Sequence, residues 1–247
     1  MDLGLTGRTA LVTGASSGLG LASAEALAGE GANVAMFARR RDQLEREADR
    51  LGALAIRGDV TIPHDLERAV ETTLTAFGGL DVLVWNAGGP PPGGALDVTP
   101  ESVEQAVALL VEPAVRLVEL CLPQLERSGA GRIVAITSLA AMEPTPHLAL
   151  SNMLRPALTG WLKTLAAEVG ARGITVNCVA PGRVATARLD ELYPNGPSKE
   201  SLAQIPVGRW GEPRELGDLV CFLASARASY VTGQTIAVDG GLQKALF

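Results

Sequence analysis

The chain has 247 residues, of which 47% are hydrophobic and 19% are charged, and its formal net charge is -6. This length and composition are typical of a compact α/β protein with a heavily buried sheet. The negative charge argues against a protein that binds nucleic acid, because phosphate binding needs a clustered positive surface. No apolar run is long enough to span a membrane, and the first residues lack the features of a signal peptide, so we expect a cytoplasmic protein.

The cysteines and histidines do not predict a metal site. Cys121, Cys178 and Cys221 are far apart and show no CxxC spacing, and the two histidines are too few for a His-rich site. We expect the three thiols to be small core residues.

Short apolar runs rich in Val, Ile and Ala alternate with longer helical patterns along the chain. Seven of these runs predict strands, at residues 9–13, 33–37, 53–58, 81–85, 132–137, 174–179 and 235–239. Because the runs lack polar alternation, they fit a parallel sheet covered on both faces by crossover helices. The sequence therefore predicts one domain over residues 1–247, an α/β doubly wound Rossmann fold with a seven-stranded parallel sheet and helices on both faces.

Two stretches rich in Pro and Gly predict loops, GGPPPGG at 88–94 and LDELYPNGPSKE at 189–200. In doubly wound folds ligands bind beyond the carboxyl ends of the strands. We expect both loops to line a substrate site, the second as part of a lid at about 187–205.

A glycine-rich turn, TGASSGLG at 13–20, follows the first predicted strand and opens a helix that stops at Gly31. Gly14 permits a tight turn, while Gly18 and Gly20 let backbone amides at the helix N-terminus approach a pyrophosphate. The spacing is GxxxGxG rather than GxGxxG, so the turn alone is equally compatible with a purely structural role.

Further motifs follow the later strands. They are Asp59, NAG at 86–88, ITS at 136–138, VNCVAPG at 176–182 with Thr186, and FLASARASYVTGQTIAVDGG at 222–241. Together with the glycine-rich turn they resemble the short-chain dehydrogenase/reductase family over essentially the whole chain, and within it the bacterial 3-oxoacyl-acyl-carrier-protein reductases. The resemblance implies hydride transfer between a nicotinamide cofactor and a carbonyl or hydroxyl carbon of a small-molecule substrate. It also implies a homotetramer or homodimer packed through two long helices around 101–127 and 153–171.

The resemblance implies that residues 16–19 line the pyrophosphate, that Asp59 and Val60 line the adenine, that Asn86 lies beneath the adenosine and that Thr186 binds the carboxamide. For Asn86, tying strand ends together is an alternative. The full set of predicted cofactor-binding residues is Gly14, Ser16, Ser17, Gly18, Leu19, Gly20, Arg39, Arg40, Asp59, Val60, Asn86, Ala87, Gly88, Arg155, Pro181, Gly182, Val184 and Thr186.

The end of the second strand predicts NADP(H) rather than NAD(H). An acid there would bind a free ribose 2'-hydroxyl, but this chain has Ala38 and Arg39 at that place. Arg39 and Arg40 could pair with a 2'-phosphate, since guanidinium groups suit phosphate oxygens. The alternative is a solvated charge run, although three arginines near a helix N-terminus are unfavourable without an anion.

The catalytic pattern of the family is altered. Its members use a tyrosine to move the proton, a lysine one helical turn later and a serine that polarises the carbonyl. By register Ser138 stands at the serine position, Ser151 at the tyrosine position and Arg155 at the lysine position, so the YxxxK motif is absent. A fourth family residue, an asparagine, falls at Leu110 or Val111. Ser138, Ser151 and Arg155 are therefore the candidate catalytic residues.

The substitutions have different expected consequences. Arg155 keeps a cation that could hold ribose hydroxyls, but it cannot exchange a proton near neutral pH. Ser151 is a far weaker acid than tyrosine and a poor proton donor. His147 and Tyr193 are alternative proton sources, and each is also compatible with a structural role.

Ser151 and Asn152 also allow a structural interpretation. Either could cap a helix, and Pro156 is tolerated in a first turn but not deep inside a helix. This predicts a helix that starts near Asn152 or later. Capping is the favoured interpretation of Asn152, while capping and catalysis remain open for Ser151.

Two functions fit these features. The first is an NADP-dependent oxidoreductase acting on a 3-oxoacyl-thioester-like substrate or a small ketone, with non-standard acid-base residues. The second is a catalytically impaired NADP(H)-binding scaffold or sensor. Relatives that dehalogenate halohydrins also carry arginine at the lysine position, but they keep the tyrosine and have lost the glycine-rich turn.

Overall fold

A seven-stranded parallel sheet forms the centre of the protein, which the computed structural model describes over residues 2–245. The strands are β1 (Thr9–Thr13), β2 (Asn33–Ala38), β3 (Leu54–Arg57), β4 (Val82–Trp85), β5 (Arg132–Ile136), β6 (Thr175–Pro181) and β7 (Thr235–Val238). Their order in the sheet is β3-β2-β1-β4-β5-β6-β7, and every neighbouring pair is parallel. The predicted Rossmann fold is confirmed, and each strand boundary lies within two residues of its predicted place.

Helices cover both faces of the sheet. They are α1 (Gly18–Gly29), α2 (Arg41–Leu51), α3 (Pro63–Phe77), α4 (Pro100–Leu110), α5 (Glu112–Ser128), α6 (Ala149–Val169), α7 (Ala187–Leu192), α8 (Lys199–Ala203) and α9 (Pro213–Ala224). Successive strand residues point to opposite faces, so Leu83 joins the core under α3, α5 and α6, while Val84 joins the core under α1, α2 and α9. The three cysteines are buried in these cores, as expected.

The predicted long helix around 101–127 is two helices in the structure. α4 begins at Pro100, where the Thr99 hydroxyl accepts a hydrogen bond from the Ser102 amide at 3.2 Å, and it ends at Leu110. Pro113 lies in the first turn of α5. Because proline has no N–H to continue an earlier helix, the chain stops one helix and starts another here.

The prediction that α6 starts near Asn152 or later is wrong. The helix begins at Ala149, so Ser151 is its third residue, Asn152 is not its cap, and Pro156 lies inside it. Pro156 is on the exposed side, whereas Leu154 and Leu158 pack inward. Packing of the buried side therefore outweighs the local preference against an internal proline.

The predicted loop at 189–200 is partly helical. α7 and α8 form two short helices there, each capped by a hydroxyl: Thr186 accepts from the Leu189 amide and Ser198 from the Ser201 amide. Short capped helices give this segment internal hydrogen bonds that a bare loop would lack. Within residues 2–245 no helix is both long and apolar enough to cross a membrane.

Candidate active site

The glycine-rich turn packs closely against the end of β4. Gly14 and Gly18 have φ values of 60° and 58°, a region that favours glycine. A Cβ on Gly14 or Gly20 would lie 2.6 or 2.7 Å from the Asn86 amide nitrogen. The first turn of α1 therefore presents backbone without side chains at this edge of the sheet, as a pyrophosphate site requires.

Asn86 ties two strand ends together, as its alternative interpretation proposes. Its backbone amide donates to the Thr13 hydroxyl at 2.8 Å, and that hydroxyl donates to the Asn86 carbonyl at 2.8 Å. The Asn86 side chain donates weakly to the Gly14 carbonyl at 3.4 Å. Ala87 packs on the core, and Gly88 beyond it is exposed. Asn86 thus fixes the turn from below.

Arg40 reaches the glycine-rich turn from the start of α2. Its Nη2 donates to the Ser17 hydroxyl at 2.6 Å and to the Ser16 hydroxyl at 3.4 Å. Arg39 instead lies 3.7 Å from the Asp59 carboxylate and is largely exposed. A guanidinium beside two serine hydroxyls and a glycine-rich turn fits the phosphates of a dinucleotide. Leu19, within the glycine-rich turn, and Val60, which follows Asp59, are both half-buried.

Arg155 is a buried cation at the carboxyl end of β5. Only 5% of the residue is exposed, and its Nη1 donates to the Ile136 carbonyl at 3.2 Å. Its Nε has no hydrogen-bond partner among residues 2–245. Burial, with a smaller contribution from the charge of Arg188, lowers the pKa of Arg155 to about 10. The side chain still carries a full charge at neutral pH, with donors free for a ligand.

Ser138 and Ser151 lie beside Arg155 in the fold. Ser138 follows β5 by two residues, and its hydroxyl accepts a hydrogen bond from the Ala140 amide at 3.1 Å, which starts a short 3-10 turn against α6. Ser151 is buried one helical turn before Arg155 on the same face of α6. Ser138 and the guanidinium of Arg155 therefore both lie at the carboxyl end of β5, and Ser151 is on the same buried side of α6 as Arg155.

Asn152 has a different task from the predicted cap. Its side-chain oxygen accepts from the Thr145 amide and its nitrogen donates to the Thr145 carbonyl, both at 2.9 Å. This pair of bonds holds the segment that enters α6. Next to it His147 is exposed and is the one non-glycine residue with positive φ among those described, at 59°.

The segment entering α6 also pairs with the 88–94 loop. The Gly93 amide donates to the His147 carbonyl at 2.8 Å, and the Ala149 amide donates to the Gly93 carbonyl at 3.1 Å. A cavity of about 280 Å³ lies between this loop, α4 and the first residues of α6. The loop is thus fixed to the candidate catalytic helix.

The other predicted proton source, Tyr193, supports the lid. Its ring packs against Trp210 at a centroid distance of 6.0 Å, and the Arg183 guanidinium lies 5.4 Å above it. Arg183 also donates to the Ser201 carbonyl and to Gln204. These contacts give Tyr193 a packing role between the lid and the body.

Thr186, which directly precedes the predicted lid, packs against the glycine-rich turn. A Cβ on Gly18 would be 3.4 Å from the threonine methyl group. Upstream, the Gly182 amide donates to the Val238 carbonyl at 2.9 Å, which fixes the chain beyond Pro181 beside β7. Val184 is buried. The predicted nicotinamide-side residues therefore lie between the glycine-rich turn and the sheet edge.

Sequence reasoning missed Arg188, which follows Thr186 by two residues. Its Nη2 donates to the Pro90 carbonyl at 2.7 Å, and its Nη1 lies 3.0 Å from the Glu191 carboxylate. The feature of the sequence that could have identified Arg188 is its position, a basic residue at the start of the predicted lid. Its target, a carbonyl nearly one hundred residues away, depends on the tertiary fold.

Comparison with known proteins matches this arrangement. The family model described as enoyl-(acyl carrier protein) reductase matches residues 14–243. Dehydrogenase/reductase SDR family member 4 of Oryctolagus cuniculus is 36% identical over 244 residues, which cover 96% of this chain and 94% of that protein. The 3-oxoacyl-[acyl-carrier-protein] reductase of Vibrio cholerae is 35% identical, with coverage of 97% and 99%.

A solved structure shows the same fold. The L-sorbose reductase of Gluconobacter frateurii, in complex with NADPH and L-sorbose, is 34% identical to this chain and superposes with a TM-score of 0.93. The alignment covers 100% of both chains. Fold, glycine-rich turn and relatives agree over nearly the full length. The chain belongs to the short-chain dehydrogenase/reductase family, and the relatives named here are dehydrogenases and reductases.

Proposed function

We propose that the protein is an NADP(H)-dependent oxidoreductase that transfers hydride between the nicotinamide and a carbonyl or hydroxyl carbon, with non-standard acid-base residues. The single observation that carries the proposal is Arg155, a buried cation whose Nε has no partner among residues 2–245 and which is held at the end of the strand that Ser138 follows. A bound cofactor would supply the hydride. The relative that was solved with NADPH and a sugar substrate supports the same class of reaction.

Three side chains of the glycine-rich region support the choice of NADP(H). Arg40 contacts Ser16 and Ser17, so a 2'-phosphate near this corner would meet one guanidinium and two hydroxyls. No carboxylate stands at residue 38 or 39 to bind a free 2'-hydroxyl. Arg39 is held by Asp59 and would contribute less than Arg40.

The substrate oxygen would lie between Ser138 and Arg155. Ser138 can donate its hydroxyl hydrogen to that oxygen, and Arg155 stabilises the negative charge that grows there as hydride arrives at carbon. Ser151 contributes shape rather than a proton, because an aliphatic hydroxyl is a weak acid. The proton reaches the oxygen from solvent. We expect turnover below that of tyrosine-containing relatives, since general acid catalysis is worth roughly 10²- to 10⁴-fold.

The second candidate, a cofactor-binding scaffold or sensor without turnover, is favoured by two observations. The position one turn before Arg155 holds a buried serine, and Tyr193 is engaged by Trp210 and Arg183. In this case NADPH binds tightly but is not consumed.

The deciding experiment combines a titration with NADPH and NADH and a turnover screen on 3-oxoacyl thioesters, ketones, diketones and aldehydes. We expect tighter binding of NADPH and slow oxidation with at least one substrate. The Ser151→Tyr/Arg155→Lys variant should turn over faster with the same substrate. NADPH binding without oxidation by the wild type, together with activity in the double variant, identifies the scaffold instead.

We also propose assembly into a homotetramer or homodimer in the cytoplasm. Val115 on α5 and Met153 on α6 are apolar and substantially exposed, which suits helix packing between copies. Light scattering of the purified protein tests this, and a monomer at micromolar concentration would contradict it.

A further inference from the structure

Arg188 is a second cation near Arg155, close enough for its charge to act on that guanidinium. Its Nη2 donates to the Pro90 carbonyl in the 88–94 loop. Gly89 makes this approach possible, because a Cβ there would lie 3.1 Å from two guanidinium nitrogens of Arg188. Since the 88–94 loop follows β4 and Ile136 ends the neighbouring β5, Arg188 and Arg155 are anchored beyond adjacent strand ends.

The charges of these two arginines are not balanced. Arg155 is almost fully buried and has no carboxylate within salt-bridge distance among residues 2–245. Among the described residues Glu191 is the one carboxylate that pairs with Arg188, and its side chain is 66% exposed. Solvent weakens a surface pair of this kind, so it neutralises Arg188 only in part. Arg155 and Arg188 together therefore carry two positive charges against one exposed carboxylate, and an anion bound beside them would be favourable.

The groups assigned to the cofactor do not remove this excess charge. The proposed phosphate ligands are Arg40, Ser16 and Ser17, on the β1 and β2 side of the cleft. The ribose hydroxyls that Arg155 could hold are neutral. Ser151 cannot serve as an anion near neutral pH, as a tyrosine with a lowered pKa could. An anionic substrate would supply the missing negative charge.

We propose that the substrate carries a carboxylate that Arg188 binds while Arg155 and Ser138 hold its carbonyl oxygen. The substrate is thus a short oxo acid, or the matching hydroxy acid in the reverse direction. This inference rests on the proposed function. In reduction the carbonyl carbon gains the hydride from NADPH, its oxygen gains a proton from solvent, and the carboxylate is unchanged. An excess of one positive charge fits a carboxylate better than a doubly charged phosphate.

The test measures binding to the NADP⁺-loaded protein, so it does not depend on turnover. Isothermal titration is done with pyruvate, phenylpyruvate, acetoacetate and levulinate, with the primary amide of each, and with dihydroxyacetone phosphate. At least one acid should bind about 10-fold or more tightly than its amide, since ionised partners strengthen guanidinium hydrogen bonds. Raising the salt concentration should weaken binding of the acid but not binding of the amide.

Two variants distinguish anion binding by Arg188 from a purely structural contact between Arg188 and the 88–94 loop. Arg188→Met should lower the affinity for the acid to that for its amide and leave the Kd for NADPH unchanged. Glu191→Gln removes the competing carboxylate of Arg188 and should tighten acid binding about 2- to 5-fold without affecting the amide.

Any of three binding results overturns the inference: no acid binds more tightly than its amide, Arg188→Met weakens acid and amide equally, or dihydroxyacetone phosphate binds more tightly than every acid. If the wild type does not bind NADPH, the proposed function is contradicted instead. Oxidation of NADPH with neutral ketones alone would support that function and overturn only the proposal that the substrate carries a carboxylate.

Discussion

Replacement of Arg155 by methionine should stabilise the protein when no cofactor is present. The wild-type residue is 5% exposed and makes a single hydrogen bond within the described part of the chain, to the Ile136 carbonyl. Methionine has a similar length and no charge to desolvate. An apolar side chain that replaces a buried, unpaired charge commonly increases stability.

The size of the effect follows from the pKa of Arg155, which burial lowers to about 10. A change of this size corresponds to about 3 kcal/mol of penalty on the charged form. Loss of the bond to Ile136 offsets about 1 kcal/mol. The expected net gain is about 2 kcal/mol, or roughly 4–8 °C in Tm for a protein of this length.

The assay is thermal and urea unfolding of the cofactor-free protein, repeated with saturating NADPH. NADPH should stabilise the wild type more than Arg155→Met, because the variant loses a group that we assign to the cofactor. Arg132 provides the matched control. It is equally buried, but its guanidinium donates to the carbonyls of Ser225, Gly131 and Gly173.

Arg132→Met should therefore destabilise the protein and leave the shift caused by NADPH unchanged, because it removes donors from buried carbonyls. An Arg155→Met protein that unfolds at a lower temperature than the wild type without cofactor would refute the reasoning. It would mean that Arg155 is paired in a way that its single hydrogen bond does not account for.

Three further predictions concern other parts of the molecule. Gly20→Ala should weaken NADPH binding at least about 10-fold and lower stability by about 1–3 kcal/mol, since its Cβ would collide with the Gly14 carbonyl and lie 2.7 Å from the Asn86 side-chain nitrogen. Gly29→Ala in the same helix meets nothing within 4 Å and should be neutral or stabilising, so equal effects of the two variants in a fluorescence titration would contradict this. Asn152→Ala should cost about 1–3 kcal/mol in urea unfolding, because it removes both bonds to Thr145, and an unchanged midpoint would argue against that role. The thiols should resist a disulfide reagent until the protein unfolds, since burial raises the pKa of Cys178 to about 11 and of Cys221 to about 12; a fast-reacting thiol in the native protein would disagree.

Hydrophobic patterning predicted the sheet well, because strands buried on both faces are continuous apolar runs. β1 and β2 have nearly the predicted bounds, and the turn at residues 13–20 lies where the sequence indicates. Helix boundaries near prolines were less predictable. Pro113 divides a helix and Pro156 does not, because the first falls in an initial turn and the second lies on an exposed face of a well-packed helix.

The candidate site was predictable as a set of residues, but its contacts were not. The family resemblance, registered on Ser138 and along α6, was sufficient to nominate Ser151 and Arg155 as candidates. The bond from Arg155 to the Ile136 carbonyl and that from Arg188 to the Pro90 carbonyl both end on backbone atoms. Every residue has a backbone carbonyl whatever its side chain, so a sequence pattern does not predict such contacts.

The hydrogen bonds from Gly93 to His147 and from Ala149 to Gly93 have a consequence for protein engineering. They join the loop that would shape substrate specificity to the first turn of the helix that carries Ser151 and Arg155. A loop transplanted from a relative without its partner segment at 145–149 would lose this register and displace the helix as well. Specificity exchange in this scaffold therefore requires both segments to be moved as one unit.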